Sequence, residues 1–277
     1  MNNTFSFSRF GRFFLYDFKR WAVSYGPSFL MMCLMPAVLY AIVLVTGLVF
    51  SQNWSSPEII SRTTVFAIVT SLLLITYPSN VYGFLTDRKS GSAYLMIPAS
   101  VGEKFASMMA NVLLAVPLIF FSVYLSVDAL ICAIDSNCGP SLLAYAGNAI
   151  DFLLHFGDSL GDGPAAMSVN LFWLYLNFCI AILYFLLCAV LFKKHKLLYP
   201  ILIIIGLNFV ITLIAGFVFT TFSFDGEFIR SIAYKIINEW NVGTSVTVYN
   251  ILCTLINLLA TGGLAVAVYF RVKTIKH

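Results

Sequence analysis

Charge is what this chain has least of. Only 10% of its 277 residues are Asp, Glu, Lys or Arg, against 60% that are hydrophobic. A soluble domain carries roughly 25% charged residues. With a mean hydropathy of +0.92, a water-soluble fold of this length cannot hide its apolar surface. Catalytic constellations are scarce too. His155, His195 and His277 are far apart, and none has the HExxH spacing of a zinc protease. The chain has no GxSxG elbow. It has no GxxxxGK[ST] phosphate loop, so it cannot hydrolyse ATP by that device. Ten-residue alternating segments, the mark of a membrane β-barrel, are missing as well. What remains is long apolar runs, which in lipid must be α-helices to satisfy their own backbone polar groups.

Six such runs are legible, at 28–50, 64–86, 107–131, 168–192, 197–220 and 247–270. Each is near or above the roughly 20 residues needed to cross a hydrocarbon core of about 30 Å. The expected fold is therefore an all-α, single-domain, six-helix membrane protein. The first run is too long and begins too late for a cleavable signal, so it is expected to stay in the membrane.

The few cations are sorted. Arg9, Arg12, Lys19 and Arg20 precede the first run. Arg88, Lys89 and Lys104 lie between the second and third. Lys193, Lys194 and Lys196 lie between the fourth and fifth, and Arg271, Lys273 and Lys276 follow the sixth. Of the 16 Lys and Arg, only Arg62, Arg230 and Lys235 fall elsewhere. Lys and Arg stay on the cytoplasmic side of membranes, so both termini are expected in the cytoplasm. The net charge of +4 is then a topology signal, and no nucleic-acid partner is implied. Most acids fall on the outer side; only Asp17, Asp87 and Glu103 are inside.

Several segments are not spans. Residues 5–22, within the cytoplasmic stretch 1–26, combine Phe10, Phe13, Phe14, Phe18 and Trp21 with Arg9, Arg12, Lys19 and Arg20. An aromatic, basic helix of this kind lies in the membrane interface, as an anchor or as a lever toward a cytoplasmic partner. Gly26-Pro27 turns the chain into the first span. In 87–105, Pro98 interrupts a short apolar run, and Ser100 with Glu103 forms a capping-box pattern. The outer segments 132–165 and 222–246 contain the runs Leu142 to Phe156 and Asp225 to Trp240, which are short for full spans and read as interfacial or re-entrant helices.

Of six cysteines, Cys33, Cys179, Cys188 and Cys253 lie in spans and Cys132 and Cys138 near the outer surface. An outer disulfide between the last two is an expectation of an oxidising compartment. The span interiors show no ionisable residue, with Asp128 taken as interfacial. They do show Asn111, Asn170, Asn177, Asn208, Asn250 and Asn257, read as interhelical hydrogen-bond formers worth about 0.6 kcal/mol each, with a polar lining for a substrate path as the alternative. Pro36, Pro78 and Pro117 are expected to kink the first three spans.

The order of parts, and above all Lys89 to Lys104 (KSGSAYLMIPASVGEK), resembles the ABC-2 type transporter permeases. The stretch is similar to a G-x-x-Y-L-x-L-P-x-S-x-x-E-K pattern in bacteroidete permease-like membrane proteins, matched here by Gly91, Tyr94, Leu95, Pro98, Ser100, Glu103 and Lys104. The resemblance implies a permease subunit of an ATP-driven exporter in the bacterial inner membrane. It makes 90–104 a coupling helix against a separate ATPase subunit and puts the N-terminal helix beside it. It also implies a homodimer or heterodimer of permease chains, with ATP and magnesium on the partner and no cofactor in this chain. This cytoplasmic connection is short for the family, which implies a small coupling surface. The alternative is a non-transporting multipass scaffold, assembly factor or sensor subunit. A membrane enzyme is disfavoured by the missing acid–base and nucleophile arrangements.

Overall fold

The computed structural model describes residues 5–51, 56–145, 147, 171–221 and 242–274. Among these the chain is helical, with no strand. In order the α-helices are α1 (Phe7–Ser24), α2 (Gly26–Cys33), α3 (Met35–Thr46), α4 (Ile59–Tyr82), α5 (Arg88–Met96), α6 (Val101–Met109), α7 (Val116–Ile134), α8 (Leu171–Leu191), α9 (Leu198–Thr221) and α10 (Val242–Thr274).

Three stretches are long and apolar enough to cross a membrane: Ile59–Thr86, Val101–Ile134 and Ile251–Thr274. A fourth is α2 and α3 together, bent by 47°. The bend has a covalent cause. Pro36 sits in the first turn of α3, where its missing N–H removes a bond to the preceding turn. The expected first span is thus a broken one. Shorter apolar lengths lie in α8 (Tyr175–Leu191) and α9 (Leu198–Ile214).

Val101–Ile134 is one unit of 34 residues, roughly 51 Å at about 1.5 Å per residue. It is interrupted by a π-helical turn, Ala110–Ala115, just before Pro117. In an α-helix the Pro117 nitrogen would have bonded the Leu113 carbonyl; here that oxygen accepts the Tyr175 hydroxyl of α8 at 3.4 Å. The same device recurs at Pro200. The carbonyl four residues back, on Lys196, accepts Ser79 Oγ of α4 at 3.4 Å. Pro78 lies inside α4 without ending it.

The core runs along α4, α6, α7 and α8. Leu73, Tyr77 and Val81 of α4 meet Met108, Val116, Phe120, Leu183 and Leu186, all buried. α8 is central: Leu176, Cys179, Leu183, Leu186 and Val190 recur at helical spacing and are buried. α9 is the opposite. From Ile201 to Ile214 every one of its residues is exposed. Such a continuous apolar face is intolerable in water and natural against lipid tails. Its Asn208 departs from the expected interhelical role, since its amide donates to the Ile204 carbonyl of the same helix at 2.9 Å. Asn170 and the outer segments from 148 to 165 and 222 to 241 lie outside the described residues.

The four basic segments meet at one end of the bundle. Arg9 of α1 pairs with Glu103 of α6 at 3.1 Å. Lys196 pairs with Asp87 at 3.1 Å. Arg271 of α10 donates to the Val190 carbonyl of α8 at 3.3 Å, and Tyr269 packs edge-on against Phe105. This is the basic end.

The span bounds shift in one place that matters, because the bundle contains a buried interhelical charge pair. Arg62, in the first turn of α4, and Asp128, in α7, are 3.2 Å apart and only 4% and 2% exposed. The helix begins at Ile59, before the expected 64, so Arg62 is drawn in from what read as a loop. Asp128 supplies the counter-charge that makes its burial tolerable.

Candidate functional site at the basic end

The site is a joint between α1 and the chain from Gly83 to Asn111. It has two carboxylates, each fully buried. Glu103 is the first. Ser100 caps α6 by accepting the Glu103 N–H at 3.2 Å, and the Glu103 carboxylate accepts the Ser100 N–H at 2.8 Å. This is the reciprocal capping box that the S-x-x-E spacing predicts. The other carboxylate oxygen accepts the N–H of Ser6, the residue that opens α1, at 2.8 Å. It also meets Arg9 at 3.1 Å. One side chain therefore caps two helices, where the helix dipoles favour negative charge.

Asp17 is the second. Its Oδ2 accepts the Tyr82 hydroxyl at 2.8 Å, the Asn111 amide at 3.1 Å and the Ser107 hydroxyl at 3.2 Å. Arg20 Nη2 lies 3.0 Å from its Oδ1. The carboxylate thus ties α1 to α4, to α6 and to the π-helical turn that carries Asn111. Turns of that kind recur at functional sites.

Arg20 and Tyr94 fill the space between. The Arg20 guanidinium lies over the rings of Phe84 at 4.0 Å and Tyr94 at 4.8 Å, and Nη2 donates to the Val81 carbonyl at 3.4 Å. Cation–π contacts of this kind contribute about 0.5–2 kcal/mol each. Tyr94 packs against Phe13 and Phe84. Burial, and secondarily the Asp17 charge, push its phenol well above the ordinary range, so it stays neutral. Lys196 closes the joint from the α8–α9 turn by donating to the Gly83 carbonyl at 2.7 Å.

The segment singled out by sequence therefore splits in two. Gly91, Tyr94, Glu103 and Lys104 are buried, and Ser100 is spent on its cap. Leu95 lies in the last turn of α5. Pro98 is exposed. The outward face of α5 is instead Lys89, Ser90, Ala93 and Met96, none of them except Lys89 a residue that charge reasoning would select. On α1, Arg12 and Lys19 are exposed, while Arg9 and Arg20 turn inward to the two carboxylates. Lying in the interface predicts one apolar face. The helix has that face in the stacked Phe10, Phe14 and Phe18, and a second, polar seam through Asp17. No family model matches this chain. No curated protein and no solved structure matches it either. The arrangement has to be read on its own geometry.

At the far end, Cys132 and Cys138 are joined in a disulfide with Cα atoms 5.1 Å apart. Arg62 sits beside it. Besides Asp128 it reaches the Cys138 carbonyl at 3.0 Å and the Pro140 carbonyl at 2.8 Å. Asp128 in turn accepts the Leu142 N–H at 2.6 Å. Among the described residues no three His, Cys, Asp or Glu side chains converge as metal ligands.

Sequence reasoning missed Asp17, Tyr82, Ser107 and Asn111 as one cluster. A signal existed: Asp17 is the lone acid in a basic aromatic helix, three residues before Arg20. Its partners are 65, 90 and 94 residues away, a pairing that no local pattern contains.

Proposed function

We propose that this chain is the membrane-spanning permease subunit of an ATP-driven exporter of the ABC-2 type. In this reading six helices cross the bilayer, both termini are cytoplasmic, and the basic end faces the cytoplasm of a bacterial cell. A separate ATPase subunit, carrying ATP and magnesium, docks there against two permease chains. The observation that carries the reading is the joint. α1 and α6 are keyed together by Glu103, α5 packs on α1 through Tyr94, and Asp17 keys α1 to the bundle. A push on the exposed turn at Pro98 is therefore passed to α4 and to the π-helical turn of α6 and α7, not absorbed by a slack loop. Tyr94, Glu103 and Lys104 serve as the inner face of that lever. The surface offered to the ATPase is Lys89, Ser90, Ala93, Met96 and Pro98.

The test is a mild-detergent pull-down of the tagged chain from its native membrane, with nucleotide-dependent crosslinking. A stoichiometric ATPase carrying a phosphate-binding loop is the expected result, with its association lost in Ala93→Arg and Met96→Asp variants that still insert. Repeated crosslinked preparations without an ATPase would overturn the reading in favour of a membrane scaffold, assembly factor or sensor subunit.

A further inference from the structure

The acids of the basic end are all committed. Asp17 holds Arg20, Glu103 holds Arg9, and Asp87 holds Lys196. Arg12, like the exposed Lys19 and Lys89, has no carboxylate partner among the described residues. Its Nε donates to the Ser8 carbonyl of its own helix at 3.4 Å. It lines a cleft of about 560 Å³ between α1 and the turn 97–99. Arg9, Tyr16, Phe13, Ile97, Pro98 and Ala99 form the rest of the lining. The cleft thus joins an apolar floor to a cationic lip, the shape that receives a short acidic side chain with the chain that bears it.

Its position on α1 argues against lipid. Arg12, Tyr16 and Lys19 form the polar edge of the helix, exposed together. The stacked Phe10, Phe14 and Phe18 lie on another edge. A lipid tail would follow the phenylalanines, and this cleft opens away from them. We infer that the cleft between α1 and the 97–99 turn is a receptor for a protein segment presenting an Asp or Glu carboxylate to Arg12. The inference rests on the topology proposed above, which puts this edge in the cytoplasm, and does not depend on the partner's being an ATPase. The segment's carboxylate pairs with the Arg12 guanidinium, and its flanking apolar atoms cover Phe13 and Pro98.

The test uses the full chain in native membranes and a water-soluble carbodiimide. Arg12→Lys keeps the positive charge and supplies an amine. The carbodiimide activates a carboxylate in contact with it, the amine displaces the urea, and an amide bond marks the contacting residue. Peptide sequencing of the adduct should give an Asp or Glu of another protein joined to position 12. In parallel, Arg12→Glu should lower recovery of that same protein at least tenfold, while Arg12→Lys keeps most of it. Arg12 is exposed, so both variants should insert and migrate as the unsubstituted chain. An adduct to a protein with a nucleotide-binding loop supports the exporter reading as well. An adduct to any other protein, with the same Arg12→Glu loss, supports the receptor alone, and the exporter reading then stands or falls on the ATPase pull-down. An adduct to a serine lipid headgroup, no adduct at position 12, or equal partner recovery by Arg12→Glu overturns the receptor.

Discussion

Two buried carboxylate–guanidinium pairs hold opposite ends of this bundle, and they are built on different plans. At the disulfide end, every hydrogen-bond partner of the Arg62 guanidinium comes from one stretch of chain: Asp128, Cys132, Cys138 and Pro140. Two of those contacts are backbone carbonyls, which cannot swing away. At the basic end, Asp17 is held by side chains from α1, α4, α6 and the π-helical turn, and every one of them has a rotamer to change. The first plan fixes a loop to a helix. The second joins four elements through groups that can re-pair. If the molecule moves, it moves at the second.

Removing one charge from each end measures that difference. Arg62→Met should give the largest effect. It leaves Asp128, 2% exposed, as an uncompensated buried charge, at a cost of about 3–5 kcal/mol. Thermal unfolding in detergent should show it, and adding Asp128→Leu should recover most of the loss, because two apolar side chains replace the pair. A double variant as unstable as the single would mean that the loop carbonyls, not the ion pair, set the cost. Asp17→Asn should cost less, about 1.5–3 kcal/mol. Arg20 keeps 22% side-chain exposure and two ring faces, so water and aromatics share its charge. Hydrogen exchange should place that loss in α1 and α6 and leave α7 beyond Pro117 unchanged. Equal loosening throughout would contradict the joint.

How much of this was legible depends on the range of the interaction. The Ser100–Glu103 cap is written in four consecutive residues, and a local pattern found it. The bend before Pro36 follows from one missing N–H. The collection of Arg9, Lys196 and Arg271 at one end follows from their alternation along the chain. By contrast, the Glu103 contact to Ser6 spans 97 residues, and nothing local says that the capping Glu also caps another helix. A coupling helix set against an ATPase would offer Tyr94 and Glu103 to the partner, yet both are buried. Their burial depends on where α1 lies, and the segment itself does not encode that. Arg62 misled for the mirror-image reason: a cation before a hydrophobic run reads as a loop charge until Asp128 is seen beside it.

The disulfide offers a milder way to separate the two ends. Cys132→Ser with Cys138→Ser opens a loop with a sequence separation of 6, for which chain-entropy arguments allow no more than about 2 kcal/mol. Arg62 should still hold Cys138 and Pro140 through their carbonyls, so the loss should be confined to 130–142 in hydrogen exchange. Spread of the effect to α1 would show that the ends are coupled, and the division of labour drawn above would fail.

The smallest effect is expected where the α8–α9 turn meets α4. A methyl group added at Gly83 would lie 3.0 Å from Lys196 Cδ, closer than carbon atoms normally approach. The obstacle is the middle of a flexible side chain with one face exposed, so it can shift by rotating one torsion. Gly83→Ala should therefore cost less than about 1 kcal/mol, the low end of overpacking. What it should disturb is geometry. Lys196 Nζ bonds the Gly83 carbonyl at 2.7 Å and Asp87 at 3.1 Å, and displacing the stem weakens both. If the basic end is a joint whose side chains re-pair easily, Gly83→Ala should leave the melting temperature almost unchanged while speeding hydrogen exchange at Asp87 and Gly91. If the melting temperature falls as far as in Asp17→Asn, the turn is a fixed support like the Arg62 loop, and the two ends differ less than their chemistry suggests.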